Sequence, residues 1–282
     1  MICDCHIHMV LDGQDWKQAI ARHDPMPQDQ FIHATLAKYQ RDGYTYLRDG
    51  GDRWGAGKRA RELASQYGIR YRTPLSPLCC SGHYGGFIGE KYENLREFYA
   101  LVQKMRANGA DFIKIMISGL MDFNHFGVLS EPGLPPAQIQ ELIHIAHEEG
   151  FAVMAHANGA ATAEAAAAAG VDSIEHGAYL DGDSLAAMAE NGTVWVPTLS
   201  AIANLQGKGR FDEEAVQAIA ASSMENLQKF AAMGGLIACG SDAGAWAVPH
   251  SCNTELVRLR QALGADADAI VHRGNLAILQ KF

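Results

Sequence analysis

The chain has 282 residues and is 48% hydrophobic, which suits a single domain with one large core over residues 1–282. Its 23 basic and 32 acidic residues leave a net charge of −9, which disfavours nucleic acid as a partner. No apolar run approaches the length needed to cross a bilayer, and the stretch before His6 is too short for a signal peptide. We therefore predict a cytoplasmic protein without a membrane partner, and its six cysteines, which follow no disulfide spacing, are interpreted as reduced thiols.

Short apolar runs that give way to Gly, Ser, Asp or Pro alternate with helical segments along the chain. Eight runs predict strands, in the order MICDCHIHMV, YTYLRDGG, IRYRTPLS, DFIKIMISG, FAVMAHANG, VDSIEHGAY, TVWVPTLS and LIACGSDAG. Helices are predicted between them, for example in GKRARELASQYG, NLREFYALVQKMRANG and PPAQIQELIHIAHEEG. Eight βα repeats predict an α/β fold, a closed (β/α)8 barrel of the TIM type, with an open doubly wound sheet as the alternative.

Polar side chains lie toward the carboxyl ends of five of these strands, which is where a parallel barrel builds its active site. They are His6 and His8 on the first strand, Lys114 on the fourth, His156 on the fifth, His176 on the sixth and Asp242 on the eighth. Any one of them alone is weakly informative. Together they predict a metal centre, because imidazole and carboxylate groups suit zinc and related ions, and polar groups in a core need partners.

Strand periodicity gives these side chains a direction. With a period of two, Asp4, His6 and His8 share one face of the first strand and the neighbouring cysteines share the other. In the fourth strand Lys114 shares its face with Phe112. We expect the polar set to point into the barrel, without a cysteine ligand.

The order His-x-His, Lys, His, His, Asp on these strands resembles the metal-dependent amidohydrolase superfamily. Longer stretches look like its branch that contains imidazolonepropionases and Xaa-Pro dipeptidases, namely DFIKIMISG, AHANGAATAEAAAAAGVDSIEHGAYLD, VPTLSA, GSDAG and PHSCNTELVRL. The resemblance runs from Cys3 to the GNLAIL segment near residue 280. It implies a distorted (β/α)8 barrel and an enzyme that acts on a small-molecule substrate.

The resemblance also implies a binuclear centre, with zinc as the expected metal. In that centre His6, His8 and Asp242 would hold the first ion, His156 and His176 the second, and a carboxylated Lys114 would bridge them. A metal-bound hydroxide would attack a carbonyl carbon, and Asp242 would carry the proton to the leaving group. The expected activity is hydrolysis of an amide bond in a cyclic amide or a dipeptide-like substrate.

Three loop residues are candidates for binding substrate, His83 and Tyr84 in CCSGHYGGF and Asn124 in MDFNHFG. Barrel loops commonly carry function, although solvated or structural loop residues of these types are equally common.

One departure from the family pattern concerns the small β-sandwich that usually accompanies the barrel. Because the first strand begins at the initiator methionine, we expect this second domain to be absent. Association into a homo-oligomer is the expected means of supporting the barrel without it. Lactone hydrolysis and deamination stay open as activities of the same superfamily, although Lys114 favours the two-metal hydrolytic type over the deaminase type. A degenerate, non-catalytic metal-binding or assembly protein is the alternative from another functional class.

Overall fold

A computed structural model describes residues 2–282. Within this range the chain forms ten strands, β1 (Ile2–Ile7), β2 (Tyr44–Asp49), β3 (Arg70–Arg72), β4 (Leu78–Cys80), β5 (Glu90–Tyr92), β6 (Ile113–Met116), β7 (Val153–Ala157), β8 (Ser173–His176), β9 (Val194–Val196) and β10 (Leu236–Ile237). Eight of them, all except β4 and β5, coincide with the predicted runs.

The eight predicted strands close into a barrel. They belong to two parallel ladders, one with the order β1-β2-β3 and one with the order β10-β9-β8-β7-β6-β4-β5. On one side the N–H of Cys5 in β1 donates to the carbonyl of Cys239, just after β10, at 2.8 Å. On the other side the N–H of Asp111, before β6, donates to the carbonyl of Thr73, after β3, at 3.0 Å. The (β/α)8 prediction is confirmed, and the open doubly wound sheet is excluded.

The two strands that the sequence did not predict lie outside this ring. β4 pairs with both β6 and β5, so these two strands extend the larger ladder beyond β6. β5 has the sequence EKY, which forms no apolar run, and β4 (LCC) begins two residues after the run IRYRTPLS that predicts β3.

Eleven α-helices surround the barrel within residues 2–282. They are α1 (Trp16–Arg22), α2 (Asp29–Arg41), α3 (Ala56–Ala64), α4 (Leu95–Ala107), α5 (Pro136–Glu148), α6 (Ala160–Ala168), α7 (Gly182–Glu190), α8 (Ser200–Ala203), α9 (Glu213–Ala232), α10 (Thr254–Leu263) and α11 (Ala267–Lys281). Short 3-10 helices follow α3 and α10, at Ser65–Tyr67 and Gly264–Asp266. None of the described helices combines the length and the apolar character that a membrane span requires.

Local chemistry explains several helix ends. Asp181 precedes α7 and forms a capping box with Ser184, in which each side chain bonds the other residue's backbone N–H. α5 begins at Pro136, where the missing N–H costs no helical hydrogen bond. The Asn94 side chain caps α4 by accepting from the N–H of Glu97.

The core has two layers that follow the predicted strand phase. In β6, Ile113 and Ile115 pack with buried side chains of α4 and α5 outside the barrel. Phe112 instead packs with Tyr46, Met154 and other strand residues within the lower barrel. This phase brings Lys114, which alternates with the isoleucines, toward the barrel interior above Phe112.

Candidate active site

Six polar side chains converge at the carboxyl ends of the strands, where they line one cavity of about 720 Å³. The six are His6 from β1, His8 just after it, Lys114 from β6, His156 from β7, His176 from β8 and Asp242, which follows β10. Asp4 does not join them, because its carboxylate accepts hydrogen bonds from the N–H and hydroxyl of Ser241 at 2.9 and 2.6 Å.

Three of these side chains form a compact group of metal-ligand type. The Nε2 atoms of His6 and His8 are 3.3 Å apart. Oδ1 of Asp242 lies 3.5 Å from Nε2 of His6 and 3.3 Å from Nε2 of His8. Two imidazole nitrogens and one carboxylate oxygen at this spacing fit around a single divalent ion.

His156 and His176 lie beside this group. Their ring centroids are 4.6 Å apart, and the His176 ring is 5.1 Å from that of His6. The buried Nζ of Lys114 has no hydrogen-bond partner within residues 2–282. A buried polar atom without a partner is unfavourable, so the lysine fits a site completed by a bound or covalently added group.

Hydrogen bonds fix how three of the imidazoles face the cavity. Nδ1 of His6 donates to Oε2 of Glu175 at 2.7 Å, and Nε2 of His156 donates to the carbonyl of Gly119 at 3.1 Å. Nδ1 of His176 is 2.8 Å from the hydroxyl oxygen of Thr198. In each ring one nitrogen is engaged and the other is left for a ligand, which is how proteins orient histidines that bind metals.

The electrostatics of the cavity favour neutral imidazoles. Burial lowers the pKa of His6 to about 4 and that of His156 to about 3, and the nearby Lys114 adds to both shifts. Burial also lowers the pKa of His176 well below its usual value. Neutral imidazole is the form that binds a metal, so His6, His156 and His176 suit that task without a change in protonation.

The backbone is unusual at two site residues. His176 has a φ of 67° and Asp242 a φ of 59°, which place both in the left-handed region that non-glycine residues seldom adopt. This bend at the end of β8 lets both Glu175 and His176 reach the site, although neighbours in a regular strand point to opposite faces. Strained residues of this kind concentrate at functional sites.

Gly50, after β2, is required by its close approach to His8. A Cβ atom at this position would lie 2.4 Å from Cε1 of His8, which is closer than any real contact. The glycine therefore leaves space for the imidazole at the cavity wall.

The family of the chain follows from its sequence. A model of the Amidohydrolase family matches residues 1–277. The chain belongs to the amidohydrolase family. Ochratoxinase from Aspergillus niger is 29% identical over 198 residues, and the match covers 65% of this amidohydrolase but 38% of the ochratoxinase. The chain thus spans well under half the length of that curated relative.

Solved structures resemble this amidohydrolase over nearly its whole length. A Xaa-Pro dipeptidase with methionine bound in its active site has a TM-score of 0.81 and 23% identity, covering 99% of this chain and 75% of the other. The A. niger ochratoxinase structure has a TM-score of 0.79 and 22% identity, covering 98% of this chain and 70% of the other. At these identities the likeness supports the barrel fold.

Sequence analysis of this amidohydrolase missed the buried carboxylate that bonds His6. Glu175 also accepts from Nη2 of Arg48 at 2.8 Å, and Arg48 donates through Nη1 to the hydroxyl of Ser173 at 2.9 Å. Both members of this ion pair are fully buried. The one available signal was that Glu175 directly precedes His176 in SIEHG, but strand alternation would have placed it on the opposite face.

The three candidate substrate residues lie in different places. Tyr84 lines the cavity, and its ring centroid is 4.9 Å from that of His156. His83 lies outside the lining, with Nδ1 3.5 Å from Oε1 of Glu131. Asn124 is also outside it, and its side-chain oxygen accepts from the N–H of Asp212 at 3.0 Å. A role in substrate binding stays a prediction for all three.

Proposed function

We propose that this amidohydrolase is a metal-dependent hydrolase that cleaves an amide bond in a cyclic amide or a dipeptide-like small molecule. The observation that carries the proposal is the convergence of four imidazoles, one carboxylate and an unpaired buried lysine in one cavity. Membership of the amidohydrolase family supports the same chemistry. A cytoplasmic location and self-association stay predictions from the sequence.

We propose a centre of two divalent ions, for which zinc is the expected metal; the compact group of His6, His8 and Asp242 supports the first of them. In this proposal His6, His8 and Asp242 would hold one ion, His156 and His176 would hold the other, and Lys114, carboxylated to a carbamate, would be a ligand of both. When bound, such ions supply Lewis acidity that activates water and polarises a carbonyl group.

Lys114 is suited to carboxylation. Burial lowers the pKa of its ammonium to about 8, so a useful fraction of the side chain is a neutral amine near physiological pH. The neutral Nζ can form a bond to the carbon of carbon dioxide and release one proton, which leaves an anionic carbamate. This converts a cation without a lone pair into a donor of two oxygens.

Asp242 is suited to carry a proton. Burial alone would raise the pKa of its carboxyl group, but the hydrogen bond with His8 and the positive charges nearby hold it below the usual value. The carboxylate is therefore ionised at neutral pH and can accept a proton at the cavity wall. Transfer of that proton to the departing nitrogen would complete the cleavage.

The test begins with protein produced with zinc and bicarbonate, and metal content is measured by elemental analysis. We expect close to two ions per chain and hydrolysis within a screen of N-acyl amino acids, dipeptides, cyclic imides and lactones. Protein that holds both ions and hydrolyses no amide in the screen would contradict the proposed function, and selective cleavage of lactones would redirect it to esters.

Lys114→Ala should lose both metal and activity, because it removes the bridging oxygens. Short carboxylic acids should restore part of the activity by supplying oxygens in the vacated space. Lys58→Ala, which changes an exposed lysine of α3, is the matched control and should retain both ions. Full metal occupancy and normal turnover in Lys114→Ala would show that the lysine only packs in the strand.

Asp242→Asn should reduce turnover by ~100- to 10,000-fold, the usual range for loss of a general base or acid. Because Asp242 is also an assigned ligand, metal content has to be measured on the same sample. Normal turnover with both ions present would assign proton transfer to a different group.

A further inference from the structure

We propose that the substrate carries a carboxylate group and that Arg210 binds this group at the mouth of the cavity, next to an aromatic wall that receives an apolar part of the same molecule. This inference rests on the proposed amide hydrolysis and specifies its substrate class. Arg210 would be a specificity-determining residue, since it lies at the mouth among the loops rather than in the group of metal-ligand type.

Two aromatic walls line the mouth of the cavity. The first consists of Phe123, Phe211 and Trp246, which come from three different loops. The ring centroids of Phe123 and Phe211 are 5.2 Å apart, and those of Phe211 and Trp246 are 6.1 Å apart. The second contains Trp16 and Phe87, in edge contact at 5.4 Å. Such walls favour a substrate with a flat or apolar part.

Arg210 stands on the first wall with its charge available. Its guanidinium carbon is 4.3 Å from the centroid of the Trp246 ring and 5.2 Å from that of Phe211. Within residues 2–282 it forms no ion pair. The two rings restrict its motion, so less entropy is lost when it binds a ligand.

The geometry favours a carboxylate as the bound group. A guanidinium presents parallel N–H donors that match the two oxygens of a carboxylate, and the pair is stronger than a neutral hydrogen bond. Arg210 is a single cation at its wall, and a single cation balances a monoanion better than a phosphate dianion. An amide of an amino acid combines this carboxylate with an amide bond in one small molecule.

Lys17 is the other cation that lines the mouth, and it is less suited to the task. Its Nζ lies 5.5 Å from the centroid of the Trp16 ring, a looser arrangement than that of Arg210. The neighbouring Asp15, which also lines the cavity, supplies a negative charge on the same side. We therefore assign the anion to Arg210 and expect a smaller effect from Lys17→Met.

Binding can be measured without turnover on the metal-loaded protein. The probes are 3-phenylpropanoate and its neutral counterpart 3-phenylpropanamide, each titrated by calorimetry. We expect the carboxylate to bind about tenfold more tightly than the amide. Arg210→Met keeps an apolar side chain of similar length and should bring the two affinities to within about twofold.

Lys208→Met is the matched control, because it removes the same charge from an exposed position of the same loop that does not line the cavity. It should preserve the tenfold preference. The wild-type protein, Arg210→Met and Lys208→Met must have equal metal content. A difference in probe affinity between them then does not arise from carboxylate bound at the metals. A preference that survives in Arg210→Met overturns the assignment, as does displacement of the probe by inorganic phosphate at lower concentrations than by the carboxylate.

The kinetic counterpart uses a dipeptide as the free acid and as its C-terminal carboxamide. Wild-type protein should show the higher kcat/KM with the free acid, mainly through a lower KM, and Arg210→Met should remove that difference. Absence of all amide hydrolysis would contradict the proposed function, whereas the calorimetric comparison still decides whether Arg210 binds the carboxylate. Hydrolysis with equal kcat/KM for both forms would overturn the present inference alone.

Discussion

Two buried glutamates in this amidohydrolase differ in protonation: at neutral pH one is a carboxylate and the other a neutral carboxylic acid. Glu175 lies inside the barrel, where the charge of Arg48 and the hydrogen bond from His6 outweigh the effect of burial and hold the pKa of Glu175 at about 2. Glu255 lies at the first turn of α10 and forms no ion pair within residues 2–282. Its burial raises the pKa to about 8, although the N–H and hydroxyl of Ser200 both donate to its Oε2.

The comparison teaches that depth alone does not decide the charge of a buried carboxyl group. A neighbouring cation makes the difference here, because the opposite charge of Arg48, together with the hydrogen bond from His6, offsets the cost of removing the carboxylate from water. Both glutamates still support the site. Glu175 orients His6 through an ionic hydrogen bond, whereas the neutral Glu255 anchors Ser200, two residues after the Thr198 that bonds His176.

The largest effect, a loss of stability, is expected when Arg48, the cation that pairs with Glu175, is replaced. Arg48→Met leaves a buried carboxylate without its ionic partner, and loss of one member of a buried pair costs about 3–5 kcal/mol of the free energy of unfolding. Urea denaturation monitored by circular dichroism measures this value. The variant also loses the contact of the guanidinium with the Phe282 ring, whose centroid is 4.4 Å away.

A double variant separates charge from packing. Arg48→Met combined with Glu175→Gln should regain part of the lost stability, because the unpaired charge has been removed. Arg59→Met, which breaks exposed ion pairs with Asp29 and Glu62, is the surface control and should cost far less stability than Arg48→Met. A double variant as unstable as Arg48→Met alone would show that packing accounts for the loss.

The next effect concerns the metal centre. Glu175→Gln keeps the shape of the side chain but replaces the carboxylate that accepts from His6 with a neutral amide. Loss of such a supporting partner typically lowers metal affinity by about 10- to 100-fold. Competition with a chelator measures the affinity, and unchanged affinity would mean that the strand alone orients the His6 ring.

The smallest expected effect is the contribution of Glu255 to the pH dependence of the free energy of unfolding. Below the unfolded-state pKa, near 4.5, both folded and unfolded states hold the proton, so the stability contribution is fully present. As pH rises toward about 8, the unfolded state loses the proton first, and the wild-type protein loses stability. Glu255→Gln lacks this titration, so its stability relative to wild type should increase with pH by at most about 1.4 kcal/mol per pH unit.

Thermal and urea denaturation between pH 5 and pH 8 measure this difference in stability between Glu255→Gln and the wild-type protein. Glu214→Gln removes an exposed glutamate from α9 and should leave the pH profile parallel to that of wild type. A Glu255→Gln profile parallel to wild type would show that Glu255 is ionised in the folded protein, as Glu175 is.

Much of the barrel could be predicted from the sequence because its signals are local. Eight apolar runs separated by helical patterns are the strands that close the barrel, and the phase of DFIKIMISG places Ile113 and Ile115 outside and Phe112 inside. β5 was missed because its sequence, EKY, forms no apolar run, and β4 was missed because it follows the run that predicts β3 after only two residues.

For the site, the sequence by itself determined which side chains stand at strand ends, because parallel strands bring all their carboxyl ends to one rim. His6, Lys114 and Asp242 lie in one cavity for that reason. Only the tertiary structure decided the rest. Glu175 shares the inward face of β8 with Ser173, and His176 joins it in the cavity because the chain bends there. Glu175 is charged because Arg48, 127 residues away in sequence, lies beside it. The aromatic walls around Arg210 likewise come from separate loops, and no local pattern encodes which loops meet.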